Sequence, residues 1–167
     1  MSCFPYPEQN PFDWTRSASR FGRWAPIPIR VIVGYGFMVH GYAKLVRGPE
    51  HFAEILHSLG LPMPGLMGWV TMVVELVGGL AVFMGASVPW VSVPLAAILL
   101  VSIFTMLLPN GFLSIKLQAV TSTGVQLGTP GYEIDLLYLA CLEALVLGGT
   151  EPLSLDLFFA KLKSRRR

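Results

Sequence analysis

Charge is scarce in this chain. Only 13% of its 167 residues are Asp, Glu, Lys or Arg, against 53% hydrophobic residues. With a mean hydropathy of +0.60, there is too little polar surface to coat a soluble globule of this size. Cysteine is nearly absent: Cys3 lies in a polar leader and Cys141 deep in the last apolar stretch, so the two are poor candidates for a disulfide. No C-x-x-C pair and no metal-spaced Cys/His cluster occurs, which removes a thiol relay. Nucleotide, iron-sulfur and flavin motifs are missing too, so the chain is expected to hold no intrinsic cofactor, and electron carriers would belong to a partner. A bis-histidine haem bundle needs two axial ligands inside the bilayer, and His40 is the only histidine within an apolar stretch; one His with a different second ligand stays open. The formal net charge of +2 is split between the chain ends, a distribution that does not suggest nucleic acid.

What the chain has instead is four long apolar stretches. A helix crossing the hydrocarbon core needs about 20 apolar residues, at about 1.5 Å of rise each. Residues 27–45, 65–84, 89–108 and 131–149 meet that need. Pro28, Pro64 and Pro89 stand near three of the starts, where a missing N–H costs nothing. The reading is therefore all-α: a transmembrane four-helix bundle (27–149), preceded by a cytoplasmic leader (1–26) and followed by a basic cytoplasmic tail (150–167). Basic residues set the orientation. Arg16, Arg20, Arg23 and Arg30 flank the first span and Lys161, Lys163, Arg165, Arg166 and Arg167 follow the last, nine of the twelve Lys and Arg. Lys44, Arg47 and Lys116 fall on the other side, so both termini read as cytoplasmic. A cleaved signal peptide is the competing account of the first stretch, but 26 residues precede it and no small-residue cleavage site stands out.

Within the leader, Arg16, Arg20 and Arg23 share one helical face, with Trp14 and Phe21 nearly opposite. That pattern predicts a short N-terminal interfacial helix; the alternative is an extended tail. Residues 86–88 make the second and third spans antiparallel neighbours. The other two connections are longer, and the segment 109–130 is expected to form a short helix or a re-entrant piece.

Ionisable groups inside a span cost at least a few kcal/mol unless paired or wetted, which makes them the default functional candidates. His40, Glu75, Asp135 and Glu143 form the candidate intramembrane polar site. Gly68, Met72, Glu75 and Gly79 lie within about 60° on a helical wheel, so Glu75 is expected to face protein, with His40 within geometric reach. A purely structural hydrogen-bonded pair is the alternative. Asp135 is near enough to the span's outer end to be solvated. It shares a flank with Glu143, which would carry protons, meet a partner or simply be protonated against a carbonyl. A second, outer-end candidate site comprises Lys44, His51, Glu54 and His57. The H-x-x-E-x-x-H spacing separates its outer histidines by about 120° on a helix, so no metal is expected there.

These residues carry a resemblance to the DoxX family of small four-helix membrane proteins. Its marks are His40-Gly41 followed by Lys44-Leu45, then Val74-Glu75-Leu76 before Gly78-Gly79, and a last span opening Gly131-Tyr132-Glu133 and closing before Ser154-Leu155-Asp156. The leader and the segment 111–130 carry little of it. The resemblance implies a prokaryotic cytoplasmic (inner) membrane protein partnered with oxidoreductase subunits that handle quinones, sulfur compounds or oxidative stress. It points to an accessory subunit, with quinone at an interface with a partner. A nonenzymatic scaffold or assembly factor, and a small transporter or proton pathway working as a homo-oligomer, remain the other readings.

Overall fold

The structure is a computed structural model that describes residues 22, 24–122, 124–148 and 153–164. The anticipated interfacial helix of the leader and the three terminal arginines lie outside the described residues. The chain is mostly helical. Helix α1 (Pro26–Arg47) is followed by a short α2 (Pro49–Ser58), then α3 (Pro64–Met84) and α4 (Val88–Ser102). A π-helical turn (Ile103–Leu107) and a 3-10 turn (Leu108–Asn110) prolong α4. Strands β1 (Leu117–Thr121) and β2 (Gly124–Leu127) precede α5 (Glu133–Leu147) and α6 (Leu155–Ser164).

Two helical stretches, Pro64–Met84 and Val88–Asn110, are long and apolar enough to cross a membrane. Helix α1 has the length, but Arg30, Lys44 and Arg47 dilute its hydropathy. Helix α5 spans 15 residues, about 22 Å of rise against a core of about 30 Å.

Local chemistry explains the boundaries. Proline opens α1, α2, α3 and α4 in their first turns, where an N–H has no partner to lose. Gly48, at φ 89°, stops α1 and lets the chain turn directly into α2. Gly85, at φ 67°, ends α3 in a left-handed cap, and the Ala86 N–H donates back to the Ala81 carbonyl at 2.8 Å, the Schellman arrangement.

Both longer connections carry structure, and one expectation for them is corrected. Residues 49–58 fold as a helix, because Leu56 buries against the α3 side while Ala53 packs on Gly68. The segment 109–130 forms an antiparallel β-hairpin, neither a helix nor a re-entrant piece, so the fold is not purely α. Val120 pairs with Val125 and Thr121 with Gly124. The β-branched Val120, Thr121 and Val125 favour strands, and Gly124 at φ 134° supplies a backbone that other residues resist. The hairpin base is fastened to the start of α5. Gly131 N–H donates to the Leu113 carbonyl, Ser114 hydroxyl to the Gly131 carbonyl, and Ser114 N–H to the Glu133 carboxylate. Lys116 donates to the Asn110 carbonyl.

Glycines bring α1 and α3 together. A Cβ at Gly34 would meet the Gly79 carbonyl at 2.7 Å, and one at Gly79 would meet the Gly34 carbonyl and Met38 nitrogen at 2.9 Å. Small residues at such a crossing let backbones touch. The contact continues at Gly41, whose added Cβ would fall 2.8 Å from Leu76. Towards the end that carries α6, the interior is a continuous apolar core of Val33, Phe37, Val82, Val88, Leu95, Leu99, Leu142 and Leu145. There Asp156 accepts a hydrogen bond from the Ser87 N–H at 2.8 Å, pinning α6 to the α3–α4 turn beside buried Arg30 and Ser154. Towards the hairpin end, the helices enclose a cavity.

Candidate functional site

The glycine contact between α1 and α3 determines what sits at the cavity wall. One turn beyond Gly41, Lys44 reaches across to Glu75, Nζ to Oε1 at 2.6 Å. The Lys44 side chain is 18% exposed and that of Glu75 6%, so this is an ion pair largely withdrawn from water. A lone charge there would be costly; paired, the two neutralise each other. Glu75 Oε2 has no partner among the described residues, which leaves one acceptor of the carboxylate uncommitted. On its other side the Lys44 ammonium lies 4.4 Å from the centroid of the Phe52 ring, a cation–π contact that draws α2 over the pair.

The cavity measures about 580 Å³, within the range of small-molecule sites. His40 and Lys44 line it from α1, Phe52 and Leu56 from α2, and Thr71, Val74 and Glu75 from α3; Leu99, Ser102 and Thr105 line it from the α4 stretch, and Asp135 and Tyr138 from α5. Asp135, half-buried, lies across the cavity wall from Ser102, which lines the same cavity. Directly after Ser102 the helix widens into its π-turn, a local irregularity common at functional sites. Tyr138 meets Phe37 edge to face at 5.4 Å, and its hydroxyl packs against Gly36, where a Cβ would collide with it. Thr71 and Thr105 return their hydroxyls to the carbonyls one turn back, at 2.6 and 2.7 Å. The wall is thus apolar, with a few convergent polar groups.

The site residues chosen from sequence divide into three groups. His40, Glu75 and Asp135 come together in this cavity. Lys44 joins them rather than the connection histidines with which it was grouped, and it is Lys44, not His40, that pairs with Glu75. Glu143 is exposed on α5 and takes no part. In α2, His51 Nδ1 lies 3.6 Å from Glu54, both exposed, while Glu54 and His57 border a smaller hollow of about 390 Å³ with Trp69. Among the described residues no group of His, Cys, Asp and Glu is placed to hold a metal ion. Sequence reasoning overlooked Ser102, Thr105, Phe52 and Pro94. The available signal was two hydroxyls three residues apart in an otherwise apolar span, following a proline inside the helix.

Two apolar helical stretches of membrane-crossing length, many large hydrophobic side chains facing outward and an apolar cavity with a few polar groups inside are the features of a membrane protein. A sequence profile of the DoxX family matches residues 25–108. The Bacillus subtilis (strain 168) protein named "Putative oxidoreductase CatD" is 33% identical over 135 residues, covering 81% of this chain and 87% of that protein. This chain belongs to the DoxX family. It is a membrane protein of that family, similar to one protein named as an oxidoreductase. No solved structure matches it.

Proposed function

We propose that this chain is the membrane subunit of a quinone-linked redox complex, and that the cavity receives the quinone head group. The observation that carries the reading is the Lys44–Glu75 pair, held at 2.6 Å in an apolar cavity and joined there by His40 and Asp135. The dimensions and donor set fit such a ligand: a flat ring packs against Phe52, Leu99 and Tyr138, and its carbonyl oxygens need donors. Lys44 has N–H groups beyond the one given to Glu75, and His40 supplies another. Glu75 holds the ammonium in place and keeps its charge balanced. Asp135, half-buried on the same cavity, offers a site where a proton can rest. A bound quinone supplies two-electron, two-proton chemistry. This chain carries no motif for an electron donor, so the donor resides on an oxidoreductase partner, which the bundle also anchors.

In this reading α1, α3, α4 and α5 cross the bilayer as a four-helix bundle in a prokaryotic inner membrane. The hairpin and α2 face outward, and both termini are cytoplasmic. Nine of the twelve basic residues lie at the α6 end or in the leader, in keeping with the positive-inside bias. The site's uncommon features, an intramembrane ion pair and a second carboxylate on the same cavity, are those that lipid tolerates only with a partner or a purpose.

The test is quinone turnover by the native complex, purified with Lys44→Met, Glu75→Gln or His40→Ala in this subunit. Variants that assemble normally should lose at least about tenfold in turnover, about 1.4 kcal/mol. Unchanged turnover in all three would defeat the proposal.

A further inference from the structure

The cavity does not engage its four long helices equally. Its residues on α1 (Phe37, His40 and Lys44) fall within about 60° of one another on a helical wheel, and those on α5 within about 100°. On α3 the lining runs from Glu75 round to Leu66, about 180°, and on α4 from Leu99 round to Ala97, about 200°. An arc that wide cannot be an inner face alone. It carries the cavity out between α3 and α4 to side chains on the outer surface: Val70 is 51% exposed and Val101 39%, and Ala97 is exposed too.

The architecture explains the gap. At the α6 end α3 and α4 are tied by a turn of Gly85, Ala86 and Ser87, and they touch where Gly78 meets Leu95, 3.3 Å from an added Cβ. Immediately before that contact α4 contains Pro94, which removes a backbone hydrogen bond and favours a bend that carries the rest of α4 away from α3. On the hairpin side Phe52 lies over Lys44, and Leu56 is buried beneath α2. The exposed lining on α3 and α4 (Val70, Ala97 and Val101) is apolar and lies on helices long enough to be in lipid.

We infer that the α3–α4 gap is a lateral portal through which a ligand with a long isoprenoid or acyl tail enters from the bilayer. The compact polar head rests beside Lys44 and Asp135, and the tail lies between Val70 and Ala97. This rests on the quinone reading of the cavity and adds what that reading leaves open: the tail is a determinant of recognition, and Val70, Ala97 and Val101 are the residues that read it. A tail burying several methylenes in the gap gains apolar contact that a bare ring lacks.

The experiment uses the full chain in lipid nanodiscs and two probes, a decyl-tailed benzoquinone and the same ring without a tail. The tailed probe should bind at least about tenfold more tightly. Ala97→Trp and Val101→Trp should abolish most of that advantage while leaving the tail-less ring unaffected. Val77→Trp, exposed on α3 but away from the cavity, should change neither. A diazirine at the tail's midpoint should label Val70 or Ala97. Equal affinities for the two probes, or tailed binding indifferent to Ala97→Trp and Val101→Trp, would overturn the portal while leaving the quinone site standing. Binding of neither probe to the wild type would overturn both.

Discussion

Replacing Lys44 with Met removes the ammonium and keeps most of the side chain's length, so the variant isolates the charge. It leaves Glu75, with its side chain 6% exposed, facing an apolar cavity without its cation. Removing one member of a buried pair typically costs about 3–5 kcal/mol. Here the loss has a ceiling. A carboxyl with an ordinary pKa of about 4.3 can be neutralised at pH 7 for about 3.7 kcal/mol, at 1.36 kcal/mol per unit. The remaining exposure of Lys44, 18%, lowers the loss further. We expect about 3 kcal/mol at pH 7, read as the shift in unfolding free energy in mixed micelles. At pH 5 the ceiling falls to about 1 kcal/mol, so the deficit should shrink as pH falls and neutral Glu75 becomes accessible. Lys44→Met combined with Glu75→Gln removes both charges and should recover to within about 1 kcal/mol of wild type. A Lys44→Met loss below about 0.5 kcal/mol, or two single losses that add in the double variant, would refute the claim that these residues act as a buried pair.

Other outcomes follow from particular contacts. Gly79→Leu should force α1 and α3 apart at Gly34 and Met38, with a loss of about 2–3 kcal/mol in the same unfolding assay. Gly65→Ala, where an added Cβ meets nothing within 4 Å, should be tolerated. Asp156→Ala removes the acceptor for the Ser87 N–H, so amide exchange over residues 153–164 should accelerate by about tenfold while α3 and α4 keep their protection. Single cysteines placed at Gln118 and Ser164, in a chain whose own cysteines are replaced by serine, should react with an impermeant thiol reagent from opposite faces of the membrane: the first from outside, the second only after permeabilisation.

The apolar stretches were legible because hydropathy over twenty residues is a strong signal, and the ends of α1, α3 and the start of α4 fell within two residues of the positions set by proline and glycine. Burial of Glu75 was legible for the same local reason: Gly68, Met72 and Gly79 repeat on its face and mark where another backbone approaches. Its partner was not. Lys44 lies near the end of its stretch, where a long basic side chain is expected to reach for water. Only the Gly34, Gly41 and Gly79 contacts fix the register that turns it toward Glu75 instead. The hairpin was hidden because its turn lacks the Asn-Gly or Asp-Gly signal, although Val120-Thr121 and Gly124-Val125 gave a weak strand pattern. For helix α2 the sequence alone leaves the state open, because the Gly48-Pro49 step reads equally well as a loop until Ala53 is seen against Gly68. The portal was illegible, since it depends on how α3 and α4 diverge after their shared turn.

The most direct test of the account is extraction of the chain from native membranes into polymer nanodiscs without detergent, followed by mass spectrometry of its lipids and attached proteins. The account predicts a respiratory quinone near one per chain together with an oxidoreductase subunit, and loss of the quinone in Lys44→Met and Glu75→Gln. Recovery of the wild-type chain without quinone, or with quinone no richer than in the surrounding membrane and indifferent to those substitutions, would contradict it.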